Sequence, residues 1–290
     1  MPTTIPTTTS STRPGSPSAG DAYFETDTKN YIIYDGANWR GYASDGVRYL
    51  WSGQNRYAIE FDGTNDSVTV GNVDESAFNI GTQDFAISMW VNFTSLNASN
   101  YRSLFGRNTS GTSWRVYARA DGLSFFTGST LYTGADTLTT STWYNLIVTR
   151  TGGNLSMYVG DGASNPTQVY NASNSVNIPF GSNITCRFGE DTSNTDFHGK
   201  ITDVGYWIGS GLTQSQVNNI YKGESDGGSG GTFGKPGDLS SFNPDHWWRF
   251  GDNIGGSGTV LQDSQLPNIN GALINNASYV AIGSGESVYV

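Results

Sequence analysis

The chain has 290 residues, more than a usual domain of about 100–200 residues, and its 8 Trp, 16 Tyr and 14 Phe residues supply enough apolar surface to exclude global disorder. Only 14% of the residues are charged, and Ala, Glu, Lys and Leu are too scarce for a helical bundle, so the composition predicts an all-β protein. The formal net charge is −10 without a basic cluster, which excludes a nucleic-acid-binding surface of the usual basic kind.

Residues 1–20 form the first segment. They hold four of the nine prolines, many Thr and Ser residues and a single charge, Arg13. Such a segment cannot bury enough surface to fold alone, so it is either a disordered tail or an extended arm that lies on a partner. It does not resemble a signal peptide, and the chain contains no run of 18 apolar residues. We therefore expect a soluble protein, made in a cytoplasm, with no membrane span.

Residues 21–56 predict a small β module. Two short strands, 22–26 and 31–34, flank a turn-forming stretch and predict a hairpin, and a third strand follows at 38–42. Three strands of this size have no full core and need a neighbour. Symmetric copies around an axis would supply one, so we predict a homo-oligomer. The alternative is that the module packs on the rest of its own chain.

From Tyr57 onward, apolar residues alternate along a series of strands. The stretch 84–93 shows this best, with apolar residues at every odd position and a mixed second face. Strands of this kind, separated by Gly, Asn and Ser turns, predict a two-sheet jelly-roll sandwich. The single cysteine, Cys186, excludes an intramolecular disulfide and a Cys-based zinc site, and the alternation around it predicts a buried strand thiol.

One short helix and a C-terminal return complete the predicted domain, 57–290. Thr213 and Gln216 form a capping box, an apolar stripe follows, and Gly223 supplies a stop. The glycine-rich stretch 224–242 indicates a flexible connector. Beyond it, 243–290 carries aromatic residues too apolar for a free tail, so we expect its strands to pair back onto the sandwich.

The run from Tyr57 to about Gly223 resembles the concanavalin A-like lectin/glucanase superfamily, specifically laminin-G-like and pentraxin-like domains. Five pieces occur in the family's order, namely 58–63 leading to 66–70, 84–91, 143–150, 197–207, and Leu212-Thr213 opening the helix. The resemblance implies a two-sheet jelly roll, in agreement with the alternation.

The N-terminal module resembles a different group of proteins. The stretches 13–17, 20–24, 26–28 and 34–39 are similar to a short hairpin segment of bacteriophage fibre, tail and other virion proteins. This likeness covers only about 30 residues of the chain. It implies a component of a tailed-bacteriophage virion, and it favours three copies of the homo-oligomer, a homotrimer.

No enzyme is expected. Glucanases of the superfamily carry Glu-x-Asp-x-x-Glu, which places carboxylates on one face of a strand, and that spacing is missing here. Glu190 and Asp191 are adjacent, so on a strand they would point to opposite faces. His198 and His246 stand in turn-like, polar contexts without a nucleophile motif.

The resemblance also implies a calcium site, and Ca²⁺ is the one cofactor we consider. Asp62 and Asp203 match positions where laminin-G-like domains often hold a metal. Glu190 and Asp191 lie in a stretch similar to the pentraxin loop that supplies calcium ligands. The alternative is that these acids are ordinary turn residues, because Asp-Gly and Asn-Asp favour turns.

Three tryptophans, Trp51, Trp114 and Trp143, are candidates for a carbohydrate-binding platform, because aromatic rings stack on sugar faces. The alternative is that each belongs to the core.

Two functions follow from these observations. The first is a virion structural protein, in a capsid decoration or in the tail or fibre apparatus, located in the virion after synthesis in the host cytoplasm. Its partners would be other virion proteins, with residues 1–20 as the attachment. The second is a carbohydrate-binding module for host-surface glycans.

Overall fold

The computed structural model describes residues 6–9, 12–25, 30–34, 39–43, 57–108, 113–162, 164–179, 185–190, 195–224, 239–251, 258–265 and 269–282. The chain divides into two compact units, Met1–Gln54 and Asn55–Val290.

The first unit contains a four-stranded sheet. Its strands, in sheet order, are β1 (Thr7–Thr8), β2 (Ala22–Glu25), β3 (Asn30–Tyr34) and β4 (Trp39–Ala43). The predicted hairpin is confirmed by the antiparallel pairing of β2 with β3. The predicted arm is not wholly separate from this module, because β1 pairs with β2 in parallel and the Phe24 amide donates to the Pro6 carbonyl at 2.9 Å.

The second unit is a sandwich of two antiparallel sheets, which confirms the predicted all-β jelly-roll class. Its elements in chain order are β5 (Tyr57–Asp62), β6 (Ser67–Val70), β7 (Phe85–Phe93), β8 (Arg102–Asn108), β9 (Trp114–Arg119), β10 (Gly122–Thr127), β11 (Leu131–Ala135), β12 (Trp143–Thr151), β13 (Asn154–Gly160), β14 (Thr167–Ser173), β15 (Thr185–Phe188), β16 (His198–Ile208), α1 (Gln214–Tyr221), β17 (His246–Trp248), β18 (Val260–Leu261), β19 (Gly271–Ile274) and β20 (Ser278–Ala281). Sheet I has the order β11-β10-β9-β8-β15-β6-β19-β18. Sheet II has the order β14-β13-β12-β7-β16-β5-β20, and β17 also pairs with β16.

The core lies between the two sheets, where each strand presents its apolar face. On β7 the odd-numbered residues from Phe85 to Phe93 point into this core. Cys186 is buried in it on β15, as the alternation predicted. An aromatic stack lies at the centre, in which the Trp114 and Tyr206 rings are 6.1 Å apart and nearly parallel.

The predicted helix is confirmed as α1, and its start is the predicted capping box. The Gln216 amide donates to Thr213 Oγ1, and the Thr213 amide donates to Gln216 Oε1. The C-terminal end follows from Gly223, whose φ of +64° favours glycine. The Tyr221 hydroxyl donates to the Gly162 carbonyl at 2.6 Å, and burial raises the pKa of Tyr221 to about 12.

The helix covers the outer face of sheet II. Val217 and Ile220 pack there with residues of the sheet and of the segment 239–247, including Ala86, Ile147, Trp207, Leu239, Phe242 and Trp247. This cover explains why β7 is buried on both faces. The predicted connector falls largely in 225–238, outside the described residues.

The C-terminal strands return to both sheets. β17 pairs with β16 and β20 with β5 in sheet II, whereas β19 pairs with β6 in sheet I. Trp248 and Phe250 are fully buried.

A buried carboxylate, Asp263, holds this return in place. Its Oδ1 accepts from the amides of Trp247 and Gln265, each at 3.0 Å. Its Oδ2 accepts from the Ile269 amide at 3.0 Å and lies 2.7 Å from His246 Nδ1. One side chain therefore fixes three segments between residues 246 and 269.

A buried guanidinium, Arg150, plays a similar part at the end of β12. It donates through Nε to the Gln83 carbonyl at 3.0 Å, through Nη1 to Val176 at 2.8 Å and through Nη2 to Gly81 at 2.9 Å. Burial lowers the pKa of Arg150, and the Asp84 carboxylate partly offsets this effect. Arg150 therefore joins the loop before β7 to the segment after β14.

Candidate functional site

The outer face of sheet I carries charged, aromatic and hydroxyl side chains, whereas the outer face of sheet II is covered by α1. On β9, Trp114, Val116 and Ala118 enter the core, so that Arg115, Tyr117 and Arg119 point outward. Ser124 and Phe126 of β10 and Ser103 and Gly106 of β8 lie beside them in register. Arginines, aromatic rings and hydroxyls therefore gather on one sheet face.

A line of contacts, which we call the tyrosine ladder, runs across this face. The rings of Tyr101 and Tyr117 are 5.4 Å apart, and Arg119 Cζ lies 4.4 Å from the centre of the Tyr101 ring. Arg119 Nε and Nη2 each donate to one oxygen of Asp121 at 2.8 Å. At the other end, Arg115 Nη1 donates to the Tyr117 hydroxyl oxygen at 3.2 Å.

The ladder combines a partly exposed ring with fixed polar groups. Tyr101 is partly exposed, whereas Tyr117 is buried beneath it. The guanidinium of Arg119 and the carboxylate of Asp121 retain 21% and 50% side-chain exposure. A ring face of this kind suits the apolar face of a sugar, and the neighbouring charged groups can take its hydroxyls.

A second group of side chains lies where β8 begins and β15 ends, and we call it the Ser103 corner. Ser103 is directly opposite Tyr117 in the sheet. Its amide donates to the Thr195 carbonyl at 2.8 Å, and its hydroxyl is 3.5 Å from the Glu190 carbonyl. The Glu190 carboxylate in turn pairs with Arg187 Nη1 at 2.6 Å.

Gly106 separates the two arginines of neighbouring strands, Arg115 of β9 and Arg187 of β15. A Cβ at this position would lie 2.8 Å from both Cα and Cγ of Arg115. The stem of Arg115 therefore lies over the glycine, and no other residue type fits beneath it without a shift.

Two of the three predicted platform tryptophans are buried. Trp114 has no exposed surface, and its Nε1 donates to the Phe78 carbonyl at 2.9 Å. Trp143 is 5% exposed and packs with Trp90 and Tyr221 under the end of α1. Neither ring offers a face to a sugar, so the prediction of a platform on these two residues is corrected to their alternative, the core. Trp51 lies outside the described residues.

The predicted calcium ligands are not brought together. Asp62 lies in a turn where its Oδ1 accepts from the Thr64 amide at 2.7 Å. Asp203 is buried on the outer side of sheet II and accepts from Trp247 Nε1 at 2.7 Å. Glu190 belongs to sheet I, where it pairs with Arg187.

Asp62, Asp203 and Glu190 therefore have three separate structural roles and do not form the predicted calcium site. Asp191 lies outside the described residues. Among the residues that are described, no group of three or more His, Cys, Asp or Glu side chains could hold a metal ion.

The environment predicted for His246 is wrong. The His246 side chain, on β17, is 3% exposed, because the pairing of β17 with β16 places it in the aromatic core. His198 is partly buried at the start of β16.

The tyrosine ladder was missed at the level of sequence, although part of its signal is present. The alternation over 114–119 already places Arg115, Tyr117 and Arg119 on one outward face. Tyr101 and Asp121 lie outside strands, and only the folded chain brings them to that face. The part of the chain that the structure describes includes no helix long and apolar enough to cross a membrane.

Comparisons with known proteins agree with this architecture. A family model for a laminin-G domain, described as the concanavalin A-like lectin/glucanases superfamily, matches residues 61–218. No curated protein sequence matches. A candidate carbohydrate-binding protein from Bacteroides ovatus has a similar structure, with 17% identity, a TM-score of 0.53 and coverage of 91% of this chain and 70% of its own.

Two further solved structures are similar at lower scores. The SAP-like pentraxin of Limulus polyphemus has 15% identity and a TM-score of 0.44, over 57% of this chain and 82% of its own. The carbohydrate-binding module of a Ruminococcus gnavus sialidase, bound to sialyllactose, has 10% identity and a TM-score of 0.42, over 58% of this chain and 99% of its own.

Proposed function

Because the chain belongs to the concanavalin A-like lectin/glucanase superfamily, we propose that its second unit binds carbohydrate without catalysis, through the tyrosine ladder on the outer face of sheet I. The observation that carries this proposal is the partly exposed Tyr101 ring, which contacts Arg119 at 4.4 Å and Tyr117 at 5.4 Å. A ring that is already fixed loses little conformational freedom when a sugar stacks on it.

The surrounding groups support the same function. Arg119 lies over the Tyr101 ring and pairs with Asp121, and both charged groups keep exposed surface. The adjacent strand β10 adds the partly exposed ring of Phe126. The Bacteroides ovatus protein with a similar fold is a candidate for carbohydrate binding, which is consistent with this proposal.

Replacing Tyr101 by alanine should weaken glycan binding by about tenfold, because truncating an aromatic anchor at an interface costs more than about 1 kcal/mol. The measurement is a glycan array with the full chain, followed by titration of the best ligand. Tyr101→Phe should retain most of the affinity, since it keeps the ring.

The matched control is Val73→Ala, which removes an exposed side chain in the loop after β6, outside the ladder and the strands beside it. An empty array for the parent protein, or equal losses for Tyr101→Ala and Val73→Ala, would contradict the proposal.

A second proposal concerns where the domain is displayed. We propose that the first unit attaches the protein to a tailed-bacteriophage particle, in the capsid decoration or the tail apparatus, as a homotrimer. The observation that favours it is a separate N-terminal sheet built on the stretch similar to virion proteins, 13–39. Displayed in this way, the lectin-like unit would meet host-surface glycans.

Removing residues 1–54 should abolish incorporation into particles and leave a folded, monomeric second unit. The attachment then lies in the removed sheet, and the remaining sandwich keeps its own core. Particle composition by mass spectrometry and solution mass by light scattering are the measurements. Normal incorporation of the shortened chain would contradict the attachment, and a monomeric full chain would contradict the trimer.

A further inference from the structure

We infer that the tyrosine ladder selects uncharged glycans and disfavours acidic ones, with Asp121 as the residue that sets this preference. The inference rests on the proposed carbohydrate binding and adds the chemical class of the ligand. It is carried by two observations. The outward arginines of sheet I are paired or buried, and the strands beside the ladder carry no charge.

Three arginines point outward from sheet I in the strands that the structure describes. Arg119 donates through Nε and Nη2 to the two oxygens of Asp121, each at 2.8 Å. Arg187 pairs with Glu190 at 2.6 Å. Arg115 is buried, with 6% of its surface exposed. To pair with one of them, the carboxylate of a sugar would have to displace a carboxylate of the protein or open a buried side chain.

The exposed charge beside the ladder is negative. The Asp121 side chain is 50% exposed, against 21% for Arg119, so the carboxylate is the more accessible partner of this pair. Asp136 adds a second carboxylate, because its amide donates to the Asp121 carbonyl at 3.2 Å. Asp136 Oδ1 accepts from the Thr137 amide at 2.7 Å, which holds this side chain in place. Two carboxylates therefore accompany one guanidinium.

These charges are close enough to act on a sugar bound at the ladder. Arg119 Cζ lies 4.4 Å from the centre of the Tyr101 ring, and the Asp121 oxygens accept from Arg119 at 2.8 Å. The Asp121 carboxylate is therefore within about 10 Å of the ring, which is about one Debye length at 0.1 M salt. An acidic group on a sugar at Tyr101 would be repelled by the excess negative charge, whereas a hydroxyl would not.

A carboxylate also suits the hydroxyls of an uncharged sugar. An ionised carboxylate accepts hydrogen bonds and donates none, and each of its oxygens can accept more than one. Both Asp121 oxygens accept from Arg119, so further lone pairs remain for sugar hydroxyls, and hydrogen bonds to a charged acceptor are the stronger kind. A ligand that reaches Asp121 is therefore recognised by its hydroxyls, which an ionised acid group cannot replace.

The strands next to the ladder are uncharged as well. From Gly122 to Ala135, which includes β10 and β11, the chain contains no charged residue. Ser124 lies opposite Tyr117, Thr133 lies opposite Ser124, and the Ser124 and Thr133 hydroxyl oxygens are 3.0 Å apart. Adjacent strands are about 4.8 Å apart, so this row extends about 10 Å from Tyr117. A longer glycan would meet hydroxyls rather than charges on this side of the ladder.

The test uses the full chain and a glycan array that carries matched pairs, in which a neutral sugar and its acid differ in one carboxylate. Glucosides are matched with glucuronides, galactosides with galacturonides, and mannosides with mannuronides. For each neutral sugar that binds, titration should show that the acid binds about three- to fivefold more weakly, the effect of one charge about 8–10 Å away at an effective dielectric constant of about 20 with partial screening. In about 1 M salt, where the Debye length is about 3 Å, the two members should bind equally.

Two variants locate the origin of the preference. Asp121→Asn removes one negative charge and keeps an oxygen for Arg119, so the ratio of the two dissociation constants should fall to about one. Asp136→Asn keeps the oxygen that accepts from Thr137, and it should lower the ratio in part. The pair of Arg119 and Asp121 is partly exposed, so Asp121→Asn should keep the melting temperature.

Asp161→Asn is the matched control, since it removes the same charge from an exposed position after β13 in sheet II. It should leave the ratio unchanged. A merely structural loss would weaken both members of a pair equally and would not change the ratio. Tighter binding of the acids by the parent protein, or equal ratios in Asp121→Asn and Asp161→Asn, would overturn the inference.

The outcomes separate this inference from the proposed function. If glycans on the array require Tyr101 and the acids bind as tightly as the neutral sugars or more tightly, only this inference fails. If the array is empty, the proposed carbohydrate binding fails and the preference fails with it.

Discussion

Replacing Asp263 by alanine should lower the free energy of unfolding by about 3–5 kcal/mol, because three buried backbone amides lose their acceptor at once and each such loss costs about 1–3 kcal/mol. The carboxylate accepts from three backbone amides and contacts His246, and it is 4% exposed. Alanine would leave buried donors without an acceptor, each of which is costly. Urea denaturation followed by tryptophan fluorescence measures the loss.

Asp263→Asn serves as the matched variant, because it keeps one carbonyl oxygen and nearly the same shape. It should cost less than the alanine variant. A loss below about 1 kcal/mol for Asp263→Ala, the size of an ordinary neutral hydrogen bond, would show that the C-terminal return does not depend on this carboxylate.

Replacing Arg150 by methionine should have an effect of similar size, about 3–5 kcal/mol, because a buried group with several hydrogen bonds is removed. The guanidinium joins the carbonyls of Gly81, Gln83 and Val176, which belong to two segments distant in sequence. Methionine fills a similar apolar volume but donates to none of them. Thermal unfolding by circular dichroism gives the comparison.

Arg150→Lys separates the charge from the shape. A lysine ammonium keeps the charge but lacks the planar fork, so we expect it to recover only part of the stability. The control is Arg119→Lys, since the Arg119–Asp121 pair is partly exposed and pairs of this kind contribute about 0–1 kcal/mol. Equal losses for the two lysine variants would contradict the role assigned to Arg150.

The fold was predictable where its determinants are local. The capping box of Thr213 and Gln216 acts within four residues, and the alternation of β7 shows on its own which side of the strand faces the core. The burial of the second face of β7 was not predictable, because the cover comes from α1 and from residues 239–247, more than 100 positions away.

The surroundings of the candidate site residues were harder to predict, because they depend on contacts between distant parts of the chain. The sequence of the strand that carries Trp143 does not show which of its two faces is buried. Only the packing of Tyr221 and Trp90 against Trp143 shows that the Trp143 ring is buried. His246 reads as polar because its partner, Asp263, lies 17 residues further along the chain. The ladder joins Tyr101 to Arg119 by a ring contact that no local pattern encodes.

The pairing of β5 with β20 makes the lectin-like unit a portable insert. Tyr57 is the register partner of Ala281, so the first and last strands that the structure describes in the sandwich are neighbours. A domain whose ends are adjacent can be placed within a loop of a host protein, or have its ends joined and a new opening cut elsewhere, without stretching the sheets. This pairing favours exchange of the sandwich between proteins as one piece, and it makes circular permutants a practical route to moving the point of attachment relative to the face that carries the tyrosine ladder.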